Sequence, residues 1–160
     1  MSSTAPAPTT PPGAPHPVPD TLAYLAGRWT VDRVLRDLAG GLEGTFRGTA
    51  AFRPDAAGAT RLLHVEDGEL TWGGTTGRAG RTLLLDGRPD GTADVAFADG
   101  RPFHDLDLRT GHWAVRHPCG RDRYEGTFTV VSADEWRLAW RTTGPAKDHL
   151  QHTVYRRARS

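Results

Sequence analysis

Two histidines in this chain stand in step with apolar residues on alternating segments: His104 with Leu106 and Leu108, and His117 with Trp113 and Val115. Arg33 alternates in phase with Trp29 and Val31, Tyr124 with Phe128 and Val130, and Glu66 with Leu62 and His64. A strand sends alternate side chains to opposite faces, so a polar residue in phase with apolar ones points to the buried side. If these faces line one interior, His104, His117, Tyr124 and Arg33 are candidate catalytic residues. Paired imidazoles trade protons near neutral pH. An inward Arg33 holds a carboxylate or oxyanion in a two-pronged grip. Tyr124 can donate to developing negative charge. Glu66 is a candidate substrate contact, and Trp113 and Trp140 offer flat walls for an aromatic or polyene ligand. The plainer alternative for each histidine is a core imidazole bonded to a tyrosine or a carbonyl. A one-residue slip in register would reverse every assignment.

The stretch His117-Pro118-Cys119-Gly120-Arg121-Asp122-Arg123-Tyr124 is the densest in reactive groups. Pro118 and Gly120 predict a turn at a sheet rim, where Asp122 either orients His117 or pairs with Arg121 or Arg123. Cys119 beside His117 is a weak candidate nucleophile and reads better as structural. Of 20 basic residues only Lys147 is a lysine. It follows Gly144-Pro145-Ala146 and is a candidate contact for an acidic ligand group. Neither His112 with His117 nor His149 with His152 has the spacing that puts two imidazoles on one strand face. No Cys-x-x-Cys-His is present, and no metal or other cofactor is expected.

The elements that must position these residues are short strands. Asp20 can cap a helix over residues 21–25 that Gly27 ends. Alternating segments follow at 28–37, 44–53, 60–66, 69–75, 79–85, 92–98, 103–108, 112–117, 124–131, 135–142 and 149–157. Asp67-Gly68 and Asp99-Gly100 read as hairpin turns. Short connections without crossover helices make the sheet antiparallel and meandering. A sheet of 8–11 such strands closes or splits into layers, and closure removes its edges. The fold class is thus all-β, an up-and-down barrel with room for one small ligand.

Residues 1–19 hold seven of the twelve prolines and read as a disordered tail before a single domain over 20–160. A net charge of +1 without a basic block argues against nucleic acid. No apolar run is long enough to span a bilayer, and the N-terminus lacks the pattern of a secretory signal. With one cysteine no intrachain disulfide forms. A cytoplasmic monomer or homodimer is expected.

Gly27-Arg28-Trp29 at the first strand and Arg156-Arg157 in the last resemble the calycin superfamily, which includes lipocalins and fatty-acid-binding proteins. That resemblance implies a basic residue of the last strand packed over Trp29. The absence of a signal peptide and disulfides departs from lipocalins. The chain is also similar to a lipocalin-like bacterial family of unknown function, across Leu25–Trp29, Phe46–Ala50, Asp99–His104, His117–Tyr124 and Gly144–Asp148. The resemblance implies a barrel around a small molecule. The expected function is cofactor-free acid/base chemistry on a hydrophobic or aromatic metabolite, of the cyclase, isomerase or dehydratase type. The alternative is a non-catalytic carrier or sensor of a small ligand or heme.

Overall fold

The computed structural model describes residues 14–56 and 60–159. The helix α1 (Thr21–Leu25) precedes ten strands: β1 (Gly27–Asp37), β2 (Glu43–Pro54), β3 (Arg61–Trp72), β4 (Thr75–Gly87), β5 (Ala93–Phe97), β6 (Pro102–Leu106), β7 (His112–Cys119), β8 (Asp122–Ser132), β9 (Glu135–Gly144) and β10 (Lys147–Arg157). Their spatial order is β6-β5-β4-β3-β2-β1-β10-β9-β8-β7. Strands adjacent in sequence pair antiparallel except β6 and β7, and the first strand pairs with the last. The sheet curls into a nearly closed barrel whose seam lies between β6 and β7. Side chains bridge that seam: the Trp113 indole donates to the Asp105 carbonyl at 3.0 Å.

The alternation read from the sequence holds along most strands, with Trp29, Val31 and Arg33 buried on β1 and Phe46, Ala50 and Phe52 on β2. One expected turn is absent. β3 runs unbroken through Asp67-Gly68, and the chain reverses at Gly73-Gly74, both with positive φ. Gly68 serves close packing instead of a turn. It lies opposite Gly48, and a Cβ on Gly68 would stand 2.7 Å from the Gly48 Cα.

Asp20 caps α1 through a bond from the Ala23 amide at 2.9 Å. The helix covers one end of the barrel, where Trp29 donates its indole N–H to the Leu25 carbonyl at 2.8 Å. Arg157, not Arg156, supplies the cation over Trp29, at 4.1 Å from the ring centroid. Its guanidinium also donates to the Tyr24, Ala26 and Ala133 carbonyls, tying the last strand to the helix. The turns after β1, β3, β5, β7 and β9 ring the opposite end, the hairpin end of the barrel.

The reading of a tail disordered through residue 19 needs correction at its C-terminal part; residues 1–13 lie outside the described residues. In Pro15-His16-Pro17-Val18-Pro19 the non-proline residues keep their N–H groups. His16 donates to the Val130 carbonyl at 2.9 Å and Val18 to that of Arg109 at 3.3 Å. Val18 is buried against the core.

Candidate functional site

Four strands send polar side chains to one buried point inside the barrel. Arg33 on β1 donates to Glu66 Oε1 on β3 at 2.8 Å, to the Tyr155 hydroxyl at 3.0 Å and, through Nε, to Thr153 Oγ1 at 2.8 Å. The other carboxylate oxygen, Glu66 Oε2, accepts from Tyr155 at 2.5 Å and from His64 Nε2 at 2.9 Å. Arg81 on β4 completes the group, its Nε 3.4 Å from Glu66 Oε1. Aromatic rings hold these groups in place: His64 stacks on Phe52 at 4.1 Å, and Tyr155 on Trp136 at 3.9 Å.

Burial pushes the Glu66 carboxyl up. The His64 hydrogen bond and the Arg81 and Arg33 charges outweigh it and hold the group far below the ordinary carboxylate range. Burial, then the Glu66 charge, raise the Tyr155 phenol. Burial lowers both His64 and His104, against partial upward pulls from Glu66 and from the Asp105 carbonyl respectively. Both imidazoles are therefore neutral at pH 7, and their partners set the tautomers. An ionised carboxylate only accepts, so His64 carries its proton on Nε2. A carbonyl only accepts, so His104 carries its proton on Nδ1, which lies 2.7 Å from the Asp105 oxygen.

His64, Arg81 and His104 all line one inner cavity of about 30 Å³, walled mainly by apolar and aromatic groups, Leu83, Phe103, Phe128, Trp136 and Trp140 among them. Trp140 is seated by Gly126 opposite it, where a Cβ would stand 2.8 Å from the indole ring. An outer cavity of about 370 Å³ at the hairpin end is lined by Phe97, Arg101, Pro102, Phe103, His117, Cys119 and Tyr124. Phe103 lines both cavities. Its ring packs 4.7 Å from His104 and 5.5 Å from His117, and stacks against Phe97 and Trp140. A bulge puts it there: β5 advances one residue from Val95 to Ala96 while β6 goes from His104 to Pro102. The extra residue, Phe103, faces inward beside His104, against simple alternation.

The residues singled out from the sequence thus separate into distinct places. Arg33 and Glu66 share the buried network, His104 and Trp140 line the inner cavity, and His117 and Tyr124 line the outer one. His104 and His117 do not share a cavity; Phe103 stands between them. Trp113 spans the seam. Asp122 pairs with Lys147 at 2.8 Å instead of with His117, Arg121 or Arg123, on the hairpin rim away from the inner cavity. Four members of the network were missed: Arg81, Thr153, Tyr155 and His64, the last read only as a face-mate of Glu66. Arg81 falls in step with Leu83 and Leu85, a signal as good as that of Arg33.

Neutral buried histidines make stability depend on pH with a definite sign. Below about pH 6.5 the unfolded chain protonates both imidazoles while the folded barrel does not, so stability falls as pH falls. Each histidine contributes up to about 1.4 kcal/mol per pH unit in that range. Glu66 adds its own loss below about pH 4.3, where the unfolded carboxyl is protonated first. Urea midpoints at pH 5, 6 and 7 are expected to rise with pH, and His104→Phe to flatten the rise. A flat profile would contradict neutral burial of these rings.

Over residues 25–157 the sequence matches the family described as "Family of unknown function (DUF6314)". The chain belongs to this family. No curated protein matches it in sequence. Among solved structures, the DUF6314 chain is similar to the S-type phycobiliprotein lyase CPES from Guillardia theta, with 10% identity, a TM-score of 0.60, and coverage of 87% of this chain and 91% of that one. That likeness shows the fold, an antiparallel barrel. Weaker likenesses are to a DUF3598 protein of unknown function from Nostoc punctiforme (14% identity, TM-score 0.47, 86% of this chain and 49% of that one) and to a de novo designed fluorescence-activating β-barrel (17%, 0.45, 87% and 98%). Among the described residues of the DUF6314 barrel no helix is long and apolar enough to cross a membrane.

Proposed function

We propose that the barrel interior is a small-molecule site that carries out cofactor-free acid/base chemistry on a hydrophobic or aromatic metabolite. The observation that supports this reading is the pair His64 and His104, two neutral imidazoles lining one largely apolar cavity beside Arg81. With Nδ1 committed to the Asp105 carbonyl, His104 offers the lone pair of Nε2 as a base. A proton taken from a ligand carbon leaves negative charge on the ligand, which Arg81 stabilises. The imidazolium then returns the proton at a second position, as in an isomerisation, or to a leaving hydroxyl, as in a dehydration. Glu66 keeps His64 in one tautomer and balances part of the Arg charge.

A carrier is the second reading. It is favoured by the wider outer cavity, where Phe97 and Phe103 stack and a flat ligand can lodge without reaching His104. Solvent isotope incorporation separates the two. A metabolite extract incubated with the protein in heavy water is expected to contain, only when protein is present, a compound that gains deuterium on carbon or one that loses the mass of water. A ligand retained in native mass spectrometry, with no such compound, would leave the carrier and remove the enzyme.

A further inference from the structure

The ligand chemistry of this same interior site can be narrowed, given the reading that it takes a small molecule. The polar network is out of charge balance. Arg33 and Arg81 bring two permanent cations. Among the described residues Glu66 is the one carboxylate ion-paired with either. His64 and Tyr155 are neutral, so the group carries one positive charge more than Glu66 balances, and it falls to Arg81, whose side chain is partly accessible.

The network is also out of hydrogen-bond balance, and in the same sense. Two enclosed side-chain atoms lack a hydrogen-bond partner among the described residues: Arg81 Nε and Trp136 Nε1. Both are donors, and both side chains line the inner cavity. Trp136 is 3% exposed, so water at the surface does not serve it. Arg81 Nε stands near Glu66 without hydrogen-bonding geometry, and 37% of the Arg81 side chain remains accessible. A site with surplus positive charge and unfilled donors calls for an anion with acceptor oxygens. The cavity of about 30 Å³ is small, on the scale of a polar head group and not of a whole metabolite.

We propose that the inner cavity binds the carboxylate of a monocarboxylic acid on Arg81 and the Trp136 indole N–H, with the apolar body of the ligand running past Phe103 into the outer cavity. The body displaces the Phe103 ring, the wall common to both spaces. Arg33 is excluded from this role because its Nε and Nη2 are already spent on Thr153, Glu66 and Tyr155.

The test uses a series of phenylalkanoic acids, from phenylacetate to 6-phenylhexanoate, against the matching phenylalkanols. Binding is measured by calorimetry at pH 7.5, and indole N–H signals are followed by NMR. At least one acid is expected to bind tenfold or more tightly than its alcohol. Arg81→Met is expected to abolish that preference, and Arg81→Lys to keep part of it. One indole signal should shift with acid and be missing in Trp136→Phe. Thermal unfolding of each variant checks its fold, and the indole shift in the unmodified protein tests the site without any substitution. Equal binding of acid and alcohol, or an acid preference that survives Arg81→Met, overturns the inference and leaves the pocket standing. Failure of every acid and every alcohol to bind at millimolar concentration overturns both the inference and the pocket.

Discussion

Glu66→Ala is expected to destabilise the barrel by about 3–5 kcal/mol, the loss typical when one partner of a buried ion pair is removed. The Glu66 side chain is 1% exposed and that of Arg33 is 9% exposed, so Arg33 loses its counter-charge in an enclosed place. Its removal leaves Arg33 and Arg81 facing each other without a counter-charge and strips Tyr155 and His64 of their acceptor. Glu66→Gln is expected to cost less, because the amide oxygen still accepts from Tyr155 or His64. Adding Arg33→Met to Glu66→Ala should recover part of the loss, since removing both charges is milder than stranding one. Urea unfolding of the unmodified protein, Glu66→Ala, Arg33→Met and the double variant closes a double-mutant cycle. A loss below about 1 kcal/mol for Glu66→Ala, the range of exposed pairs, would mean that the cluster is hydrated and not buried.

His104→Phe is expected to slow turnover by about 10²–10⁴-fold, the span attributed to a positioned general base. The phenyl ring preserves the packing against Phe103, Phe128 and Trp140, so the change falls on chemistry and not on cavity shape. His117→Ala is expected to cost less than tenfold, because that ring sits in the outer cavity behind Phe103. The rate of deuterium incorporation provides the readout once the exchanged compound is found. Equal losses from the two variants would return His117 to the reacting centre and set aside the division made by Phe103.

Much of this arrangement was legible in the residue pattern, because the strand period is short and one face is apolar. Arg33, Glu66, His104, Tyr124 and Trp140 all point inward, as their apolar phase-mates imply. Two things hid the rest. The bulge at Phe103 breaks the period locally, so a residue in the outward phase becomes the wall between the histidines. The pairing of distant strands is absent from any local window: Tyr155 meets Glu66 across 89 residues and Arg33 across 122. Local composition also misled at Asp67-Gly68, where a good turn dipeptide serves close backbone approach between β2 and β3. At Asp122 the nearest arginines in sequence lost to Lys147 on the neighbouring hairpin.

The barrel has its open seam in the middle of the chain and its covalent ends zipped together through the β1–β10 ladder. This has a consequence for the order in which the molecule can be made. Every other ladder is between sequence neighbours and forms early, since short loops close cheaply. The β1 edge must wait for the last strand to be synthesised, and with it wait Thr153, Tyr155 and the Arg157 clasp over Trp29. Until then Glu66 and Arg33 lack their tyrosine partner and β1 presents unpaired backbone. Loss of the last dozen residues would therefore leave a curled sheet with an exposed edge, prone to join another copy, while a cut near the β6–β7 connection would break no ladder at all.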